Sequence, residues 1–579
     1  QGLVPGLNID VSSGSLEKTP TINVRGQGTI GEGSNYSPLI LIDGMEADLN
    51  SVNPQDIENI SVLKDAAASS IYGSRAPFGV ILITTKSGSK DGKTTINYNN
   101  SFRFSNPINK KHMMNSVMFA SWVNDALTTN GGSPRYSGDF MKRIVDWHNA
   151  TPIAPGQRKT ADGRIIYSVE PNESGQWLGG FSTGCDDVDY YDVVYKDWNF
   201  SQEHNVSATG GTEKLNYYAS GSFYGNNGLL KIGEENLKRF TATAKINSQL
   251  TPILRLNLNM RFTREDYKRP ADLTDYQYQA MAYKSWPLLP LYDRNGYLVH
   301  NDGTSVASLA DGGSDKKQSD NFYIQTGLKI EPVKNWNTYV DFGYRIQNIT
   351  RHWDQQVINN HDINGTPYVI HRNTSNVHEQ LYKTNYYNLN VRTEYSLSIN
   401  DVHNFHVLAG FQAENLKELS FGAERNGILI STKPELDLTT GNGSDGKPVT
   451  PSVFGYRNEW SVAGFFGRFN YDFKGRYLFE ANVRADGSSR FRTGHQWKTF
   501  PSISLGWNIA KEAFFKDLAS TVNTLKLRGS YGSLGNQNTY NWYFTYQTLT
   551  ATPNSGGWLQ NGAKPALAYT PSLVSESLT

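Results

Sequence analysis

The chain has 579 residues, with 53 Gly, 33 Tyr, 26 Phe and 12 Trp, and a mean hydropathy of -0.54. That is far more than one small core needs, and the glycine and aromatic content suits a turn-rich β-protein better than a soluble α/β enzyme. Lys plus Arg (55) balances Asp plus Glu (54), so there is no basic excess for nucleic acid, and the lone Cys185 provides neither a disulfide framework nor a structural zinc site.

No run approaches the ~18 apolar residues of a spanning helix. A membrane crossed by strands stays open, because each such strand is only a weak alternating signal. The chain starts at Gln1 without Met or a signal peptide, so a mature or truncated product is expected.

Residues 1–92 read as a small mixed α/β domain. Short apolar strands at 21–26 (TINVRG), 39–44 (LILIDG) and 80–85 (VILITT) are joined by Gly-rich turns. Between them, 54–64 and 66–72 read as helical, with Asp65 as the cap of the second piece. Gly26, Gly44, Gly73 and Gly79 mark tight turns, while Arg25, Lys64, Asp65 and Arg75 are candidates for polar contacts with a surrounding wall.

The second domain, 93–579, changes to strict alternation. Leu254, Leu256, Leu258, Met260 and Phe262 oppose Arg255, Asn257, Asn259, Arg261 and Thr263, and a period of two puts these sets on opposite faces of a sheet. Likewise Phe240, Ala242, Ala244 and Ile246 oppose Thr241, Thr243, Lys245 and Asn247, and Tyr477, Phe479, Ala481 and Val483 oppose Glu480, Asn482 and Arg484. The alternation template gives roughly 14 strands of about 10 to 15 residues. Short turns near 210–212, 249–252, 332–335, 400–403 and 474–475 alternate with long connections near 105–199, 265–319, 349–379 and 417–455, with exceptions in the short connections near 225–235 and 488–496. An outer-membrane barrel sorts its connections this way, and lipid forces such a sheet to close. Trp336, Tyr395, Tyr471, Tyr477 and Trp507 at strand ends are candidates for an aromatic girdle.

Reaction chemistry finds no footing. The acidic run Asp186, Asp187 and Asp189 lacks EF-hand spacing and reads as a solvated loop, and His403 and His406 point to opposite faces of a strand. No Ser/His/Asp constellation or spaced carboxylate pair stands out, so neither an enzyme nor a cofactor or metal site is expected.

Several motifs in order carry a family resemblance: QGLVPGLNI (1–9), INVRGQG (22–28), PLILIDG (38–44), NPQDIENISVLKDAAASSIYGSRAPFGVILITTKSG (53–88), ADGSSRF (485–491) and YGSLGNQN (531–538). The chain resembles the SusC/RagA type of TonB-dependent outer-membrane transporters over nearly its whole length. The resemblance implies a mainly β fold, a transmembrane antiparallel barrel of about 22 strands filled by an N-terminal plug. It implies a plug signature comprising Arg25, Gly26, Asp43, Gly44, Lys64, Asp65, Tyr72, Gly73 and Arg75. The TonB box would precede Gln1, and about 8 strands would lie beyond Thr579 if the barrel has the family's number.

The implied function is active import of oligosaccharides across the outer membrane of a Gram-negative bacterium, driven by TonB and shared with a SusD-like surface lipoprotein lid. Peptide import by the same machinery is the alternative, followed by a metal-chelate or vitamin receptor without a lid. A soluble β-rich adhesin is the reading outside transport. Long loops carry function on such scaffolds, so Trp177, Tyr190, Tyr191, Trp286, Tyr292, Trp353 and Trp558 are candidates for substrate or lid contact.

Overall fold

The computed structural model describes residues 7–569 apart from 12–13, 25, 27–36, 65–68, 109–111, 178–180, 182, 275–283, 302–305, 519, 538–541, 544, 547–548 and 552–566. Thirteen strands form one antiparallel sheet. Small hairpins in the connections aside, each strand bonds to the next in chain order, from Thr95–Ser105 to Lys526–Gly532. Among the described residues neither of these two edge strands has a second neighbour.

The strands are longer than the alternation suggests. Ser314–Val333 and Trp336–Gln355 each have 20 residues, and Asn376–Ile399 and His403–Asn426 each have 24. Register explains the difference. On the outward face, Leu254 pairs with Ile330, Leu256 with Leu328, Met260 with Ile324 and Phe262 with Phe322. The same strands then continue as Arg264 with Asp320, Asp266 with Gln318 and Lys268 with Lys316. Beyond the apolar rows both faces are polar, so the period-two signal fades while backbone pairing continues. The residues predicted as loop at 265–270, 314–319, 349–355 and 417–426 are therefore strand.

From Leu254 to Phe262 the apolar rows cover about 27 Å of strand, which a tilt of about 40° shortens to roughly 20 Å, close to the lipid-facing band of an outer-membrane barrel. At the short-turn end, Trp336 pairs with Tyr395 and Tyr477 with Trp507 on this outward face. At its other margin the Tyr344 and Tyr387 rings lie 4.9 Å apart. The turns at the short end use left-handed residues, Asn335, the Asn400–Asp401 pair and Lys474–Gly475, the backbone that tight hairpins require.

The opposite face is polar and buried. Asn199, Ser201, Glu203, Asn205 and Ser207 alternate inward along one strand, and Thr241, Thr243 and Lys245 along another, while Val206, Phe240 and Ile246 are exposed on the other side. This inverts the pattern of a soluble sandwich. What covers the polar face is the N-terminal unit, a four-stranded sheet in the order Met45–Glu46, Leu39–Ile42, Val80–Thr85, Ile57–Leu63. Its Ile42, Met45, Val52, Ile81 and Ile83 pack against Tyr323, Tyr386, Trp460 and Val462 of the wall.

One expectation in this unit is corrected. Residues 54–64 are not a helix. Pro54–Asp56 makes one 3-10 turn, and Ile57–Leu63 is a strand paired antiparallel with Val80–Thr85. Ile57, Ile60 and Val62 are β-branched and find a ready edge there, which outweighs the helical look of the acidic flanks. The expected helix at 66–72 and its cap Asp65 fall largely outside the described residues; Ser70–Arg75 is 3-10.

The two faces make opposite demands on substitution. In the full-length protein folded into lipid vesicles, Leu256→Arg on the apolar face should cost about 2–4 kcal/mol. Asn257→Ser, one residue on and facing the plug, should fold nearly as well as wild type. Urea unfolding in vesicles measures both, and equal stability of the two variants would contradict the assignment of faces.

Candidate functional site

The interface between plug and wall concentrates the buried charge. A two-residue turn, Asp43 (φ 53°) and Gly44 (φ 90°), joins Leu39–Ile42 to Met45–Glu46 and aims a carboxylate at the wall. Asp43 Oδ1 accepts from Thr85 N (2.9 Å) and Lys245 Nζ (3.0 Å), and Oδ2 from Thr85 Oγ1 (2.6 Å) and Asn259 Nδ2 (2.8 Å). Gln325 Nε2 donates to the Asp43 carbonyl at 2.7 Å. Burial alone pushes this carboxyl up; Lys245 and the Thr85 donors outweigh it and hold Asp43 below its ordinary 3.8.

Asp56 ends the 3-10 turn that Asn53 caps through Gln55 N (2.7 Å). It is fully buried, with four wall donors on its two oxygens: Tyr218 Oη (2.7 Å) and Asn205 Nδ2 (3.3 Å), then Ser220 Oγ (2.7 Å) and Thr243 Oγ1 (3.2 Å). A buried carboxylate so saturated satisfies the rule that buried charge must be paired or hydrogen-bonded.

The third anchor faces other strands. Arg75 pairs with Glu414 of the wall and with Glu46 of the plug (2.9 Å), and donates to Tyr386 Oη at 3.3 Å. Burial works against the cation, but Glu414, Tyr386 and Glu46 outweigh it, so its pKa lies above the usual arginine value. Beside it, Ser74 N donates to Asp486 Oδ2 (2.8 Å), Arg484 pairs with Asp486 (2.6 Å), and Arg484 also donates to the Ile71 carbonyl. Gly73 is required here. It has φ 69°, and a Cβ would stand 2.3 Å from both Arg484 Nε and Asp486 Oδ2.

Of the predicted plug residues, Asp43 and Arg75 reach the wall and Gly44 and Gly73 shape the backbone beside them. Tyr72 is half-buried in the plug's own apolar cluster with Leu39, Leu41, Ala76 and Val80. Lys64 is half-buried at the end of Ile57–Leu63, Gly26 has φ 89° in open space, and Arg25 and Asp65 lie outside the described residues. Asp56, Lys245, Glu414, Arg484 and Asp486 were not singled out. For Lys245 and Arg484 the signal existed, a long cation on the polar face of an alternating strand. For Asp56, in a short polar turn, local sequence offers none.

The long connections fold into their own cores. Trp177 is 5% exposed and its Nε1 donates to the His361 carbonyl (2.7 Å); Tyr190 is 0% exposed and its hydroxyl donates to the Leu289 carbonyl (2.8 Å). Both are corrected from surface contacts to loop core, because a connection this long buries its own largest side chains. Tyr191 and Tyr292 are half-buried. Trp286 lies half-buried under the Arg135 guanidinium (4.9 Å), and Trp353 between Arg351 (4.4 Å) and His378 (4.3 Å). Trp558 lies outside the described residues. More open indoles belong to Trp122 and Trp198, at 60% and 61% exposure.

The acidic run is also corrected, from solvated loop to structural knot. Asp186 is buried and accepts from Trp147 Nε1 (3.2 Å), Asp187 N (2.9 Å) and Leu291 N (3.0 Å), and burial raises its pKa. Asp187 takes Ser116 N (2.7 Å) and pairs with His148 (2.6 Å), tying together the helices Ser116–Thr129 and Gly138–Asn149. Asp189 caps Tyr190–Val194. Burial pushes the nearby Cys185 thiol up to about 12, which makes it a packed side chain and a poor nucleophile. Two groups bring three ligand-type atoms within 4.8 Å of one another, His112/Asp189/Asp192 and His352/Glu379/Glu435. Each already contains an internal pair, His112–Asp189 at 3.2 Å and His352–Glu379 at 2.5 Å.

Residues 1–80 match the TonB-dependent receptor plug domain family. The TonB-dependent receptor SusC of Bacteroides thetaiotaomicron is 27% identical over 572 residues, covering 93% of this chain and 50% of that protein. The RagAB peptide importer shares the fold at a TM-score of 0.77, with 22% identity over 99% of this chain and 61% of the other. The chain is similar in sequence to the SusC type of TonB-dependent receptors and shares its fold with the RagAB importer. TonB-dependent receptor P39 of Formosa agariphila is 28% identical over 555 residues, 93% of this chain and 46% of that one. The chain thus spans about half the length of these two TonB-dependent receptors.

The anchors should be measurable in the full-length receptor. Glu414→Ala leaves the buried Arg75 cation with the Glu46 carboxylate and the Tyr386 hydroxyl and should weaken plug docking by about 3 kcal/mol. Faster proteolytic nicking of the plug with the barrel intact is the expected readout, and an unchanged nicking rate would contradict the anchor. Asp43 has a depressed pKa, so its contribution is complete at neutral pH and is lost as pH falls below 3.8 toward the folded value. Plug protection should decline over that range, and Asp43→Asn should flatten the decline.

Proposed function

We propose that the chain is the plug and the following wall strands of an outer-membrane importer that takes up a nutrient oligomer, an oligosaccharide first, under TonB drive. The observation that carries this reading is the character of the plug–wall contact. Asp43, Asp56 and Arg75 are the plug's main anchors, and all three are polar groups held by polar wall residues. The plug also packs Ile42, Met45 and Ile83 on Tyr323, Tyr386 and Trp460 of the wall, and the polar anchors are the part of that contact that water can take over. Contacts between hydrogen-bonded groups can be exchanged for contacts with water once force opens a gap.

In this reading the inner-membrane energy protein TonB pulls the plug, and a SusD-like lipoprotein covers the loop end. The cargo crosses unchanged, with no bond made or broken. Outer-membrane lipid surrounds the apolar rows. The plug's moving part is its least stable part.

Peptide import is the second reading, favoured by the name of the RagAB peptide importer, whose fold this chain shares. A metal-chelate or vitamin cargo without a lid comes third. Uptake of labelled oligosaccharides and labelled peptides by cells making the full-length protein, with and without TonB, separates these. The expected result is TonB-dependent uptake of oligosaccharide. Uptake of peptides alone moves the protein to the second reading. Uptake that persists without TonB sinks the driven mechanism, and absence of any co-purified lipoprotein favours the third.

A further inference from the structure

The outward face carries a recess that the transport reading does not use. One cross-strand row runs Phe342, Leu389, Ala413, Ala463, Gly487, Trp497. Large side chains stand at both ends of that row, and three of the smallest residues form its floor. Gly487 is needed there, since a Cβ would meet the Trp497 ring at 2.5 Å. Below the floor, Phe411 and Phe465 close the lower end with rings 5.0 Å apart, and Trp497 lies 6.2 Å from Phe465. The result is an open groove of about 500 Å³ in the wall. It sits level with the Tyr344–Tyr387 pair that marks the band's margin toward the long connections.

Directly beyond that margin the same face turns basic. Lys383, Leu419 and Arg457 are neighbours in one row, and Lys417 and Glu459 pair in the adjacent row nearer the groove. Strand spacing puts Lys383 and Arg457 about 10 Å apart, with Lys417 about 7 Å from that line. Three cations face one carboxylate, Glu459, which lies 3.3 Å from Lys417. Asp320, further along the row, is occupied by Arg264 on both oxygens at 2.7 Å.

We propose that this groove and its basic rim form a binding site for an anionic lipid of the outer leaflet, resting on the membrane reading above. One acyl chain lies on the Ala413–Ala463–Gly487 floor between Leu389 and Trp497. The phosphorylated head sits against Lys383, Lys417 and Arg457. Charge complementarity selects this occupant. An apolar slot just inside the band with a net positive rim just outside it has the polarity of a phosphate-bearing lipid, read from tail to head. A zwitterionic lipid fills the slot without using the rim.

The test uses the full-length receptor in detergent, exchanged with monophosphoryl lipid A or with phosphatidylcholine, and native mass spectrometry of what stays bound. Lipid A should be retained in preference to phosphatidylcholine. Removing Lys383, Lys417 and Arg457 together by Ala substitution should lower retention by roughly fivefold per charge. Ala463→Phe should abolish retention with all three charges intact. All of these side chains face outward, and a wild-type heat-modifiable gel shift verifies that each variant is folded. Equal retention of the two lipids, or wild-type retention by either variant, overturns the proposal. Loss of a dimeric mass in Ala463→Phe would instead assign the groove to a second copy of the chain. If lipid A fails to bind while the protein still needs detergent, only this inference falls. A full-length protein that stays monomeric in water without detergent removes the membrane reading beneath it.

Discussion

A backbone amide in hydrocarbon has no water to bond, so it must be paired within the protein. Everything in the large sheet follows from that constraint. Thirteen strands pair each with the next in chain order, and the register sorts side chains into an apolar outer set and a polar inner set. The outer set needs no partner, because lipid supplies one. The inner set needs polar partners, and the plug provides them. Asp43, Asp56 and Arg75 are buried charges that could not exist in an ordinary apolar core, and here they meet Lys245, Tyr218, Ser220 and Glu414 because the wall turned its polar residues inward.

The large-scale design was legible in the sequence because lipid acts residue by residue. Alternation from Leu254 to Phe262 and from Phe240 to Asn247 named both faces of their strands, and the short turns at 332–335, 400–403 and 474–475 fall between paired strands. What was lost lies where that local pressure ends. Beyond Phe262 the outward residues are Arg264, Asp266 and Lys268, and nothing in their order says that the strand continues to Pro270. Its continuation is decided by the partner strand, which no local pattern records. The same holds for Ile57–Leu63, whose acidic neighbours look helical until the free edge of Val80–Thr85 is known.

The plug and loops show the same limit more sharply. Gly73 could be flagged as a turn residue, but the reason it must be glycine is Arg484 and Asp486, more than 400 positions away. Asp186 looks like a solvated acid beside Asp187 and Asp189, and becomes a buried acceptor only when Trp147 and Leu291 arrive from two other segments. Trp177 and Tyr190 were read as exposed because loops usually are. A connection long enough to hold two helices has interior positions of its own, and its largest rings occupy them.

The plug's three charged anchors differ in the groups that hold them. On the wall between Asn199 and Pro270, Asp43 pairs with Lys245 and accepts from Asn259, and Asp56 accepts from the neutral hydroxyl and amide donors of Tyr218, Ser220, Thr243 and Asn205. Water can replace neutral donors at a small net cost, since each such bond is worth only about 1 kcal/mol in exchange. On the wall between Asn376 and Ser488, Arg75 meets the Glu414 carboxylate out of solvent, while Arg484 and Asp486, paired with each other on the wall, take the Ile71 carbonyl and the Ser74 N–H of the plug. Parting a buried ion pair strands two charges and costs about 3–5 kcal/mol unless water enters at once. Each side of the plug thus carries one buried ion pair to the wall, Asp43 with Lys245 and Arg75 with Glu414, and Asp56 is the anchor whose contacts are with neutral donors.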